Sequence, residues 1–180
     1  LSAVLLGIQF WIFLWAPVNG RALEASLGYL LMPLVIVLCG RVVFGERLRP
    51  YQKVAVCLAA LGVANQVYQV GSVSWVVLLV AFGHPAYFVT RKKMGTGHLG
   101  GLWFDFLIMF PFAVYITLSG GAGLGVLAER PALLGLIPGL GLLTVLSFAS
   151  FVTAAKLLPF SLFGLLSYVE PVLLVFVSFL

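Results

Sequence analysis

Long apolar runs, separated by short polar or glycine-containing connections, organise this sequence. Seven runs stand out, over residues 1–17, 22–45, 51–70, 73–90, 101–119, 132–157 and 161–180. A helix needs about 20 residues to cross the hydrocarbon of a bilayer. Strands of a membrane barrel would alternate apolar and polar positions over about 10 residues, and these runs are longer and do not alternate. In lipid every backbone N–H and C=O needs an internal partner, which leaves helices. The pattern predicts an all-α, polytopic membrane helix bundle with seven spans. Leu1 is not an initiating methionine and Leu180 falls inside a run, so a longer parent chain is expected. No basic segment or cleavage site precedes the first run, so no signal peptide is expected.

The second and seventh runs resemble one another. Ser26-Leu-Gly-Tyr-Leu-Leu-Met-Pro33-Leu-Val-Ile aligns with Gly164-Leu-Leu-Ser-Tyr-Val-Glu-Pro171-Val-Leu-Leu, 138 positions later. The alignment extends back without a gap through Leu27/Leu165, Ala16/Ala154 and Phe13/Phe151. The two runs are an odd number of crossings apart, so if both span they point in opposite directions. Inverted repeats of this kind build two exchangeable halves around one midplane site in many secondary transporters.

Composition agrees with a lipid environment. The chain is 63% hydrophobic and 8% charged, against roughly 25% charged in soluble domains. The net charge of +5 does not indicate nucleic acid, because its placement follows the connections. Arg41, Glu46, Arg47, Arg49 and Lys53 surround the second, Arg91, Lys92 and Lys93 the fourth, and Lys156 borders the sixth. The odd connections carry only Arg21 and Arg130. Basic residues on alternate connections mark the cytoplasmic side. Residues 45–50 and 91–100 are thus expected to be cytoplasmic and residues 119–131 external. Arg91-Lys92-Lys93 reads as a topology anchor. Cys39 and Cys57 flank one cytoplasmic turn and are read as reduced, small apolar residues without a metal or redox role.

Polar groups inside the runs are the candidate chemistry. Glu170 lies about ten residues into its run, near the midplane at about 1.5 Å per residue. A carboxylate there needs a partner or a wet cavity. It is a candidate substrate or proton contact, or else a neutral acid bonded to a neighbouring helix. Tyr168 and Ser167 precede it, and Tyr29 and His84 are the other substrate or coupling candidates. Ser147, Ser150 and Thr153 are further candidates to line an aqueous path. Arg21 and Glu24 begin the second run, as a cap and ion pair or as an outward gate. Asp105 is expected to pair with a basic residue near the cytoplasmic face. Pro33 and Pro171 each remove a backbone donor within a run and kink it. Small residues at Gly135 and Gly139, and at Ala22, Ala25 and Gly28, suggest close helix packing. Gly45 suits a helix end and Pro50 a helix start. No metal-ligand cluster, phosphate loop or nucleophile elbow is present, so the expectation is no enzyme, no cofactor and no ATP-driven pump.

Asn19-Gly-Arg-Ala-Leu-Glu-Ala-Ser-Leu-Gly-Tyr29, continuing to Gly45-Glu-Arg-Leu-Arg49, resembles the RarD branch of the EamA family, within the drug/metabolite transporter superfamily. Tyr168-Val-Glu-Pro171 is similar to that family's Y-x-E-P element. Two positions depart from the branch: Met32 stands where an asparagine is common, and Glu170 where a small residue is usual. The resemblance implies ten helices in two inverted halves of five. Residues 1–70 would supply helices three to five of the first half, and residues 73–180 helices six to nine of the second. It further implies a multi-pass protein of the bacterial inner membrane, moving small metabolites or drugs by alternating access. Export is the expected direction, with proton coupling at Glu170 a candidate. A non-transporting scaffold or sensor, or a membrane-embedded lipid-modifying enzyme, are the competing readings.

Overall fold

A computed structural model of the chain describes residues 1–71, 73–95, 99–119, 129, 132–170 and 173. The described residues form seven helices: α1 (Ser2–Val18), α2 (Ala22–Val43), α3 (Pro50–Val70), α4 (Trp75–Lys93), α5 (Leu99–Ser119), α6 (Leu133–Leu157) and α7 (Phe160–Leu166). The first six follow the apolar runs to within a few residues, whereas α7 stops at Leu166, well inside the seventh run. Helices α2, α3, α5 and α6 are each long and apolar enough to cross a membrane. The seventh run is described only to residue 170 and at 173, and Pro171 lies outside the described residues.

Local chemistry sets the helix ends. Gly45 has φ +65°, a left-handed conformation that glycine adopts without a Cβ clash. The Glu46 N–H then returns to the Gly40 carbonyl at 3.0 Å, which turns the Glu46 side chain back across the bundle. Pro50 opens α3, where its missing N–H costs no helix bond. Helix α4 runs through Lys93, so Arg91, Lys92 and Lys93 occupy its last turn, where positive charge suits the helix dipole.

Helix α2 is the centre of the bundle, packed mainly against α4 and α7 and also against α1. Gly28 lets it approach α4: a Cβ there would come within 2.6 Å of Val80 Cβ. Helices α2 and α7 run antiparallel, and their contacts advance in opposite senses along the chain. The Tyr168 hydroxyl donates to the Leu30 carbonyl at 3.1 Å. Gly164 faces Pro33, Ile36 and Val37, and Gly40 faces Ser161. Finally, the Phe160 N–H meets Glu46.

Gly135 and Gly139 correct the packing expected of them, because nothing described lies within 4 Å of a Cβ built at either. Their α6 face is turned outward. Helices α3, α5 and α6 leave most of their apolar surface uncovered, an arrangement that hydrocarbon tolerates and water does not.

Candidate functional site

Side chains from α1, α2, α4 and the segment after α7 converge midway along the bundle. The Tyr29 ring centroid lies 5.7 Å from that of His84 and 6.0 Å from that of Phe13. Glu170, exposed at the end of the described segment, is within electrostatic range of Tyr29. Tyr168 bonds instead to the Leu30 carbonyl, in the turn before Pro33, and lines a cavity shared with α3. Ser167 does not join them: it is buried, and its hydroxyl donates to the Phe163 carbonyl at 3.0 Å. Ser150 and Thr153 likewise donate to carbonyls of their own helix.

Gln9 is a further buried polar group, packed against α4 beside Gly83, and the sequence reading missed it. It is 2% exposed, and its Nε2 donates to the Leu79 carbonyl at 3.1 Å. Gly83 makes the space, since a side chain there would collide with Gln9. Gln9 Oε1 and His84 Nδ1 are both buried without a hydrogen-bond partner among the described residues. Each unsatisfied buried group costs about 1–3 kcal/mol. Gln9 is the one amide in the first run, and a polar position amid apolar neighbours was the signal available.

One end of the bundle holds the gate candidates. Arg21 pairs with Glu24 at 3.5 Å, and Ser74, at the start of α4, donates to the same Glu24 oxygen. The Arg21 guanidinium lies over Trp15 and Trp75, 5.9 and 5.7 Å from their ring centroids. These contacts tie the α1–α2 turn to α4.

The opposite end holds two further networks. Arg91 turns inward instead of anchoring at the surface, and it meets Asp105 of α5 at 2.8 Å with both side chains at most 4% exposed. The Tyr87 hydroxyl bridges the pair, and the Ser2 hydroxyl donates to the other Asp105 oxygen at 2.6 Å. The basic partner expected for Asp105 is thus Arg91. Beside this pair, Glu46 accepts the Phe160 and Ser161 N–H groups at 2.6 and 2.7 Å. Lys92 lies 5.0 and 5.2 Å from the Phe44 and Phe160 ring centroids. Burial alone would raise the Glu46 pKa. The Ser161 N–H and nearby hydroxyl, the Phe160 N–H and the Lys92 charge outweigh it, so the carboxyl sits below its ordinary value.

That direction fixes a pH dependence. A depressed carboxyl contributes stability that is present above its unfolded pKa of about 4.3 and is lost as pH falls through the lower folded value. Glu46→Gln should therefore flatten the acid side of the thermal-stability profile of the full-length protein while costing stability at pH 7. Identical profiles for the two proteins would contradict the lowered pKa.

Apolar helices around a buried polar centre define a polytopic α-helical membrane protein. Residues 1–65 match the family described as "EamA-like transporter family". The chain is 44% identical over 180 residues to "Chloramphenicol-sensitive protein RarD" of Pseudomonas aeruginosa, covering 100% of this chain and 60% of that protein. It is 40% identical over 179 residues to an uncharacterised transporter of Pasteurella multocida, covering 99% of this chain and 61% of that one. With "Protein RarD" of Escherichia coli it shares 34% identity over 175 residues, covering 96% of this chain and 59% of that one. The chain is EamA-like and RarD-like, as its motifs implied, and it spans about 60% of the length of these curated relatives. No solved structure matches it.

Proposed function

We propose that this chain forms part of a secondary transporter that carries a small organic molecule through the Tyr29–His84–Tyr168–Glu170 region by alternating access. One observation carries the reading: the Tyr168 hydroxyl, just after α7, donates to the Leu30 carbonyl of the antiparallel α2. Leu30 and Tyr168, which touch there, are separated by 138 positions, the offset of the sequence repeat itself. Contact between equivalent positions is what a two-fold pseudo-axis through the crossing would produce. It supports assigning residues 1–70 and 73–180 to two inverted halves.

On this reading the protein lies in a bacterial inner membrane with the Glu46 end cytoplasmic and residues 119–131 external. Arg21 and Glu24 then form part of an outward gate, and net transport is outward. Glu170 binds substrate or exchanges a proton. Transport is favoured over lipid modification because the polar groups are spread between the two ends and the middle of the bundle and do not gather at one interface. The names of the relatives point the same way.

The test is transport by the full-length protein in proteoliposomes, across a series of pH gradients and a panel of small metabolites and antibiotics. Glu170→Gln should lower gradient-driven flux about 10- to 100-fold, the scale of a lost hydrogen bond to a charged group. Wild-type flux at every pH would overturn the coupling role. The absence of any flux from the wild-type protein would favour the scaffold reading.

A further inference from the structure

We propose that Glu46 is a positioning residue for transport, the latch that holds the α2–α7 seam shut at the Glu46 end of the bundle. The proposal rests on the alternating-access reading and adds the element that must release for this end to open.

The seam is closed along its length in this structure. From the Leu30–Tyr168 crossing it runs through Gly164 against Pro33, then through Gly40 against Ser161. Backbones this close leave no passage between the two helices. Phenylalanines fill the space alongside. Phe163 lies 4.7 Å from Phe151 of α6 and 5.4 Å from Phe88 of α4, ring centroid to ring centroid. None of these apolar contacts is directional, and each permits sliding.

Glu46 supplies a charged, directional contact at the last point of the seam, the opposite end from the Tyr168–Leu30 bond. Its two oxygens take separate N–H groups of the first turn of α7, at 2.6 and 2.7 Å. Ionised acceptors make hydrogen bonds roughly twice as strong as neutral ones. A negative charge at a helix start also gains from the helix dipole. Lys92 adds a third body: its ammonium lies over Phe44 before Glu46 and over Phe160 after the loop, and donates to the Leu158 carbonyl at 3.5 Å. The latch therefore joins the α2–α3 loop, the end of α4 and the start of α7. Among the described residues, the charged groups around Glu46 are Lys92 from α4 and Arg47 and Arg49 from its own loop. Parting α2 from α7 at this end must strip the carboxylate from both N–H groups together.

Cys39 gives a readout that does not depend on transport. It is half-buried, one residue from Gly40, and packs against the core cluster that holds Phe160 and Phe163. In full-length protein with Cys39 as its one cysteine, the rate of maleimide labelling reports how often the seam opens. Glu46→Gln keeps the shape and removes the charge, and should raise that rate about tenfold, the difference between a charged and a neutral acceptor. Glu46→Asp should stay nearer the wild type. In proteoliposomes Glu46→Gln should also change KM and kcat by different factors, since a shifted balance between two states alters binding and turnover unequally.

Wild-type labelling in Glu46→Gln would overturn the latch even if transport were intact. So would a lowered melting temperature with unchanged labelling, which marks a purely structural cap. Faster labelling in a protein that moves no substrate would keep the latch and overturn the transport reading instead.

Discussion

Asp105→Ala should cost about 3–5 kcal/mol of folding stability, because it breaks a buried ion pair by removing the carboxylate that Arg91 meets at 2.8 Å. Arg91 and Asp105 are each almost wholly shielded, and Tyr87 and Ser2 are arranged around the same carboxylate. Removing the acid therefore disturbs three helices, α1, α4 and α5. The pair need not be a net source of stability. Exchanging a buried ion pair for well-packed apolar side chains is often neutral or better. The double variant Arg91→Met/Asp105→Leu should accordingly recover much of what Asp105→Ala loses. Thermal unfolding of the full-length protein in detergent measures both. A melting temperature for Asp105→Ala equal to that of the wild type would mean that the pair is not buried as described.

Gly164→Val should be the second most damaging change, at about 1–3 kcal/mol or more for overpacking a filled contact. A Cβ at Gly164 would lie 2.8 Å from the Pro33 carbonyl oxygen, 2.9 Å from Ile36 Cγ2 and 3.0 Å from Val37 Cγ2. The backbone oxygen cannot rotate away, so the two helices must separate. Gly164→Ala should show the same defect in milder form, and pairing Gly164→Ala with Ile36→Val should relieve part of it. If Gly164→Val melts with the wild type, α2 and α7 are not in backbone contact.

These predictions all draw on contacts between residues far apart in sequence, and they divide what was legible from what was not. The seven apolar runs gave the seven helices, since lipid leaves a backbone of this length few other ways to satisfy its polar groups. Gly45 and Pro50 gave the ends of α2 and α3, because φ restrictions are local. Tyr29, His84, Tyr168 and Glu170 stood out as polar groups in apolar surroundings; of these Tyr29 packs against His84, Glu170 lies within electrostatic range of Tyr29, and Tyr168 bonds to Leu30. Ser167, singled out on the same ground, satisfies itself within its own turn. Gln9 escaped notice because its significance depends on Gly83, on another helix.

Charge shows the division most sharply. Counting Lys and Arg along the connections treated Arg91, Lys92 and Lys93 as one anchor. The helix carries its last turn through all three, and at about 100° per residue they cannot share a face. Arg91 points into the bundle, Lys92 lies over the aromatic rings and Lys93 is exposed.

By itself, the sequence determined the helical class, the places of the described helices along the chain, and the polar residues set among apolar neighbours. Those follow from backbone hydrogen bonding in lipid and from local steric rules. Only the tertiary structure decided which of those residues meet. The Glu46 carboxylate and the Phe160 N–H are 114 positions apart, and Asp105 meets Ser2 across 103. Periodicity assigns a residue to a face, but a partner across the bundle is chosen by how helices with small residues at their contacts can approach.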